Sequence, residues 1–231
     1  MLDNSNGLLL PIHQSHCVRR LNVTSAVVTE YAGKCGTVGN TLAGHRLTYL
    51  KINSPFGVAS DNFTTVFVSI WPTQPTVISI STEDDMVKDV ITINYWPRKL
   101  NFDPLDNSLY LTVNNGLGVI TLDDLQFTLI AGSTASGSAG SNEPIPLSDS
   151  SYSNPGDFFR LGENRWLVAD SWAHRCGCVI EHLVFCHSPV DFCAHSHAYL
   201  RSMPRTPAHF RSLLHVLMHE YRWENEKSGI F

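Results

Sequence analysis

One short pattern occurs three times along this chain: a proline opens it, an aspartate marks a turn, and a run of apolar residues follows. The copies start at Pro55, Pro97 and Pro155, so the steps between them are 42 and 58 residues. Each copy contains two segments of strand length around the turn. Strands repeated at intervals of roughly 40 residues cannot bury both of their faces alone and must stack on a neighbouring copy. The repeat therefore predicts an array of small sheets.

Such a repeat is typical of the blades of a β-propeller, in which each four-stranded sheet packs on the next. Residues 18–21 and 26–31 predict two further strands around the turn at 22–25, which would end a preceding blade. We expect an all-β fold over residues 1–180, a partial β-propeller of three to four antiparallel four-stranded blades. Because an arc of blades leaves its outermost sheets unpaired, we also expect self-association through the open blade edges.

The repeated segments resemble the NHL-repeat family of β-propellers. The family pattern, a proline and "GVA-D" followed by "VYVAD", is matched at residues 54–69 and 154–170, and the Gly-rich link at 32–39 is similar to the link that precedes blades in extracellular members. The middle copy departs from the pattern, with Lys99 and Leu100 where the family prefers Gly-Val. The resemblance covers about residues 8–180. It implies a non-catalytic module that binds a protein or glycan partner through its blade loops.

Four residues outside the repeated strands are candidates for partner binding. His45 and Arg46 lie in the loop between two repeats, and Trp71 and Trp172 each follow a predicted strand. Loops over rigid strands carry binding residues in many folds, and exposed tryptophans are frequent anchors of partners. Two other tryptophans fall inside the repeated pattern and are expected to pack between blades: Trp96 and Trp166.

Residues 181–231 differ in composition from the repeats and form a Cys/His-rich tail. Thr206 is suited to cap a helix whose first position is Pro207. Apolar residues then follow at helical spacing as far as Tyr221. We expect an amphipathic α-helix at about 206–225. Its apolar face would cover an open blade edge, or the tail is a divergent end that the repeats do not use.

A zinc site is the sharpest chemical hypothesis. Its candidate ligands are Cys176, Cys178, Cys186, His187, Cys193, His195 and His197. Zinc takes four Cys or His ligands, and alternate residues on a strand point to the same side. The alternative is that these residues are buried thiols and surface histidines, in which case we expect no cofactor. With zinc, the chain would be a zinc-dependent lyase or hydrolase; a third alternative is a truncated gene product without independent function.

The compartment depends on two further features. Cys17 and Cys35 either form a disulfide between a strand and its outgoing loop or are free buried thiols, and Asn22 and Asn62 begin glycosylation sequons. We expect an extracellular parent protein, although residues 1–11 do not predict a signal peptide. The net charge of −5 is unfavourable for nucleic acid, and no apolar run approaches the roughly 20 residues of a membrane span.

Overall fold

A computed structural model describes the chain at residues 7–40, 44–47, 49–61, 64–71, 75–132, 145–146, 152–162, 165–170, 175–180 and 183–187. The chain divides into two compact units, Met1–Cys186 and His187–Phe231. All described residues except His187 belong to the first unit. The helix predicted at about 206–225 lies outside the described residues, and the predicted division of the chain at residue 180 stays a prediction.

The repeated prolines begin the first strands of two four-stranded sheets, as expected for a residue without a backbone N–H. The second sheet consists of β4 (Pro55–Ser60), β5 (Thr65–Ile70), β6 (Thr76–Ser81) and β7 (Met86–Thr92). The third sheet consists of β8 (Pro97–Asp103), β9 (Ser108–Val113), β10 (Gly116–Thr121) and β11 (Gln126–Gly132). In both sheets the strands lie side by side in sequence order and pair antiparallel.

The first and fourth sheets vary this plan. The first sheet consists of β1 (Gly7–Ile12), β2 (Cys17–Asn22) and β3 (Val27–Ala32), with a 3-10 turn at His13–Ser15. The fourth consists of β12 (Ile145–Pro146), β13 (Pro155–Gly162), β14 (Arg165–Asp170), β15 (Arg175–Ile180) and β16 (Leu183–His187), in the order β12-β16-β15-β14-β13. The predicted all-β fold of antiparallel blades is confirmed. The first sheet has three strands, and the fourth has five because β12 joins it.

Both faces of the central strands are buried, which explains their continuous apolar runs. Val66 and Val68 of β5 point into the core between the first and second sheets, whereas Phe67 points into the core between the second and third. In the same way, Leu111 and Tyr110 of β9 pack into the cores on the two sides of the third sheet. The second and third sheets thus bury their faces against the sheets before and after them, as blades do.

The sheets also contact one another in succession: β1 contacts β4, β4 contacts β8, and β8 contacts β13. At one of these contacts, Ser69 Oγ accepts the N–H of Gly57 at 2.7 Å and donates to the carbonyl oxygen of Arg98 at 2.7 Å. A Cβ at Gly57 would lie 2.0 Å from that carbonyl oxygen. Only glycine therefore lets β4 approach β8 so closely.

A disulfide joins Cys17 at the start of β2 to Cys35 in the loop after β3, with 5.0 Å between the Cα atoms. This confirms the first of the two alternatives for these cysteines. The bridge holds the Gly-rich link against the first sheet, where the N–H of Cys35 donates to the Glu30 carboxylate at 3.1 Å. The described residues contain no helix with the length and apolar character needed to cross a bilayer.

Candidate binding site

Aromatic residues gather at one end of the first three sheets. His13 follows β1, Trp71 follows β5, and Trp96 precedes β8. Phe56 and Arg98 each directly follow the proline that opens a blade. Because Pro55 pairs with Ile70, β4 begins at the end of the sheet where β5 finishes, and the repeat brings these side chains together. We call the surface formed by His13, Phe56, Trp71, Trp96 and Arg98 the aromatic end.

The rings of the aromatic end are in mutual contact. The centroid of His13 lies 5.6 Å from that of Phe56 and 5.5 Å from that of Trp71. Trp71 meets Trp96 edge to face, with 5.3 Å between the ring centroids and an interplanar angle of 83°. Aromatic pairs prefer such edge-to-face geometry because the electron-rich face of one ring attracts the edge of the other. The cluster is therefore a preformed surface held by its own contacts.

Part of this surface faces solvent. Trp96 is 43% exposed and Phe56 is 38% exposed. His13 and Trp71 lie deeper, and among the described residues the buried His13 Nδ1 and Trp71 Nε1 atoms have no hydrogen-bond partner. Buried polar atoms are normally paired, so an unpaired one under an exposed ring is a group that a ligand or water can satisfy.

Arg98 closes the cluster on the side of the third sheet. Its guanidinium carbon lies 5.0 Å from the centre of the Phe56 ring, and its Nη2 donates to Asn154 Oδ1 at 3.1 Å. Burial lowers the pKa of Arg98 below its ordinary value. The group remains a cation at any physiological pH, because guanidinium does not lose its proton in proteins.

The next repeat supplies amides in place of rings. Asn114 follows β9 as Trp71 follows β5, and its Oδ1 accepts the N–H of Trp96 at 3.0 Å. Asn154 precedes Pro155 as Trp96 precedes Pro97, and its N–H donates to the Asn114 carbonyl oxygen at 2.9 Å. The same end of the sheets therefore passes from aromatic to amide side chains. This combination places amide side chains directly beside the rings of the aromatic end.

A second polar cluster lies at the opposite end, between the third and fourth sheets. Arg160 of β13 forms ion pairs with Asp103 and Asp106, the latter at 3.1 Å. The Tyr110 hydroxyl donates to Asp106 Oδ2 at 2.6 Å. The Arg160 guanidinium carbon also lies 5.0 Å from the Tyr110 ring centre and 5.9 Å from that of Trp166. The charged groups and the Tyr110 hydroxyl pair with one another and join two blades, although the buried Trp166 Nε1 has no hydrogen-bond partner among the described residues, and we assign the cluster to stability.

Of the three predicted partner-binding residues that the structure describes, Trp71 alone lies in the aromatic end. His45 and Arg46 lie along the start of β7, the edge strand of the second sheet, where the carbonyl oxygen of His45 accepts the N–H of Val87 at 3.0 Å. That is the end of the sheet opposite to Trp71. Trp172 and Asn62 lie outside the described residues.

The proposed zinc ligands fall largely beyond what the structure describes. Cys176 and Cys178 lie in β15 and Cys186 and His187 in β16, for which the backbone alone is described. The remaining candidates, Cys193, His195 and His197, lie outside the described residues. Within the part of the chain that the structure describes, no three or more His, Cys, Asp or Glu side chains form a metal-binding group.

Sequence reasoning missed most of the aromatic end. The expectation that Trp166 packs between blades is confirmed, since it is 4% exposed, but Trp96 is 43% exposed and the same expectation for it is wrong. Phe56 and Arg98 carried a usable signal, because both directly follow an anchoring proline and equivalent positions of blades share one end. His13 carried none, since β1 was not recognised as a strand.

Comparisons with known proteins agree with the fold. No family model matches the chain, and no curated protein matches it. The chain is similar to a protein in a nidogen–laminin complex (TM-score 0.54, 15% identity, 77% of this chain and 57% of that one). It is similar to an inactive virginiamycin B lyase from Staphylococcus aureus solved with quinupristin (TM-score 0.52, 13% identity, 81% and 54%). It is also similar to an auxiliary nutrient binding protein from Bacteroides ovatus (TM-score 0.51, 11% identity, 81% and 56%).

These likenesses show a propeller-like fold and carry no information about function, because the identities are low. The chain spans 54–57% of the length of the three structures. Those proteins differ in what their names state: one assembles with another protein, one is a lyase, and one binds a nutrient. The site itself must therefore carry the functional argument.

Proposed function

We propose that this chain is a β-propeller binding module of the NHL type, which holds a protein or glycan partner on its aromatic end. The observation that carries the proposal is the pair of exposed rings, Trp96 and Phe56, fixed on the ends of rigid strands. Large aromatic side chains contribute much of the binding energy at interfaces and lose little conformational freedom when they bind.

The surrounding groups favour binding over catalysis. The rings contact one another, and the guanidinium of Arg98 is held by Phe56 and Asn154. Such an arrangement presents a surface of fixed shape with hydrogen-bonding groups beside it, which is the composition of a typical ligand site. The disulfide between Cys17 and Cys35 supports an extracellular setting, since disulfides persist in oxidising compartments.

The test begins with a ligand. The purified chain is probed against arrays of secreted proteins and of glycans, and the strongest binder is titrated against variants. We expect Trp96→Ala and Phe56→Ala each to weaken binding at least about tenfold, as for anchors of an interface. Light scattering on the same sample tests the predicted self-association through open blade edges.

Leu105 provides the matched control. It is 90% exposed and lies in the turn between β8 and β9, at the end of the third sheet opposite to the aromatic end. Leu105→Ala should leave the affinity unchanged. If Leu105→Ala weakens binding as much as Trp96→Ala, or if both aromatic variants bind like the wild type, the aromatic end is not the binding surface.

A further inference from the structure

The hairpin between β2 and β3 is an outward-facing turn at the far end of the first sheet. Val23 and Val27 are 50% and 53% exposed, and Thr24, Ser25 and Ala26 are also exposed. The turn begins with Asn22-Val23-Thr24, the sequence that N-glycosylation requires. We propose that Asn22 is an N-glycosylation site. This inference does not depend on the proposed binding function.

The side chain of Asn22 uses its amide oxygen within the turn and leaves its amide nitrogen for a new bond. Its Oδ1 accepts the N–H groups of Thr24 and Ser25, both at 3.0 Å, so the carbonyl side of the amide is held against the turn. Among the described residues, its Nδ2 makes no hydrogen bond. Asn107, in the turn before β9, differs: its Nδ2 donates to Asp123 Oδ1 at 2.8 Å. The nitrogen of Asn22 is thus the one available to form a new bond.

The Cys17–Cys35 disulfide supports passage through an oxidising compartment, which is where N-glycosylation takes place. Cys17, at the other end of the same strand, is bonded to Cys35. Disulfides form in the oxidising lumen through which secreted eukaryotic proteins pass, and N-linked sugars are found on surface loops of such proteins. The disulfide and the sequon therefore support the same route.

The transfer consumes a defined donor, an oligosaccharide linked to a lipid through diphosphate. Asn22 Nδ2 attacks the anomeric carbon of the first sugar and forms a C–N bond. The bond between that carbon and the diphosphate oxygen breaks, and the lipid diphosphate leaves with the electron pair. One amide proton passes to a base of the transferase. No electrons are exchanged with an oxidant or reductant.

A glycan at Asn22 would suit the surface around it. Asn22 pairs with Gly7, at the end of β1 opposite to His13. It lies roughly 17 Å along β2 from Cys17, so a glycan there would leave the aromatic end open. The sugar would lie beside Val27 and Val28 of β3, the edge strand of the first sheet. Bulky groups at an edge oppose pairing with another chain. The modification would thus protect this edge while leaving the binding surface free.

The experiment expresses the full chain behind a cleaved signal peptide in mammalian cells and analyses both lysate and medium. Peptide:N-glycosidase F in heavy-oxygen water converts a glycosylated asparagine to labelled aspartate, and peptide mass spectrometry reads residue 22. We expect labelled aspartate at position 22 in most molecules. Thr24→Ala should abolish the label and the gel shift at this site, whereas Thr24→Ser should retain them.

Asn62→Gln, which removes the second sequon, should leave the label at residue 22 intact. Because the sugar is added before secretion, a variant that is retained in the cell still reports the result in the lysate. Unmodified Asn22 in wild-type protein whose Cys17–Cys35 bridge has formed would overturn the proposal. A label that persists in Thr24→Ala would overturn it as well, since it would arise from deamidation and not from a glycan.

Discussion

Two arginines of this protein stack on aromatic rings, and their surroundings are opposite. Arg160 lies between the third and fourth sheets with its side chain 17% exposed, and two carboxylates pair with it. Arg98 lies at the aromatic end, stacks on Phe56 and donates to an amide. Among the described residues, no carboxylate forms an ion pair with Arg98. A guanidinium stacked on a ring is therefore paired with carboxylates at one end of the blades and with an amide at the other. We call the group around Arg160 the closed cluster and the group around Arg98 the open cluster.

The pKa values of the two arginines are shifted in opposite directions. Burial disfavours the charged form of Arg160, but the hydrogen bond to Asp103 and the neighbouring negative charges outweigh burial and raise its pKa above the ordinary value. Burial of Arg98 has no such compensation, and its pKa is lowered. A buried charge that is paired with opposite charges holds its partners in place. A buried charge without such partners is stabilised when an acidic or hydrogen-bonding ligand binds to it. We infer that the closed cluster serves stability and the open one serves binding.

The two tryptophans of these clusters give the largest expected effect. Trp166 is 4% exposed and fills the core between the third and fourth sheets, whereas Trp96 is 43% exposed. Trp166→Ala should lower the free energy of unfolding by about 4 kcal/mol, because it leaves a large cavity. Trp96→Ala should lower it by about 1 kcal/mol or less. Urea denaturation measures both, and equal losses would remove the distinction between the clusters.

Removing the cation of the closed cluster should have the next largest effect. Arg160→Ala leaves Asp103, whose side chain is 13% exposed, facing Asp106 without a cation between them. We expect a loss of about 3 kcal/mol in the free energy of unfolding. Lys99→Ala is the matched control, since Lys99 pairs with Asp157 at 3.6 Å on the surface with side chains 48% and 59% exposed. It should cost less than about 1 kcal/mol. Similar losses in the two variants would contradict the assignment.

The sequence was sufficient to predict the blades because their signal is local. Prolines open β4, β8 and β13, and aspartates fix the turns through their own backbone, as when Asp61 Oδ1 accepts the N–H groups of Thr64 and Thr65 at 3.0 and 2.9 Å. Strands buried on both faces are continuously apolar, so that β5 and β9 could be recognised without any knowledge of their neighbours. For Cys17 and Cys35 the sequence left a disulfide and free buried thiols as alternatives, and only the structure decided between them.

The aromatic end could not be predicted in full because it depends on how blades stack. His13 and Trp71 are 58 positions apart in the chain and meet only because β1 and β5 end at the same level. Trp96 belongs to the repeated pattern, which suggested burial, but it precedes the strand and so lies at the rim. Position relative to the anchoring proline, more than residue type, decides which side chains reach this surface.

The smallest expected effect is on the pH dependence of the free energy of unfolding. Burial first, and then the hydrogen bond to Asp106, raise the pKa of Tyr110 well above its ordinary value. The folded protein therefore holds this phenol neutral, and its contribution to stability is complete below the unfolded pKa of about 10 and is lost as the pH rises above it. Between about pH 7 and 11, wild-type protein should lose about 1.4 kcal/mol more of its free energy of unfolding than Tyr110→Phe does. Tyr110→Phe lacks the hydrogen bond to Asp106 at every pH. Each protein's free energy of unfolding is therefore compared with its own value at pH 7. A constant difference between the two proteins from pH 7 to 11 would mean that the phenol ionises as readily in the folded chain as in the unfolded one, and the cluster around Arg160 would then be as open to solvent as the aromatic end.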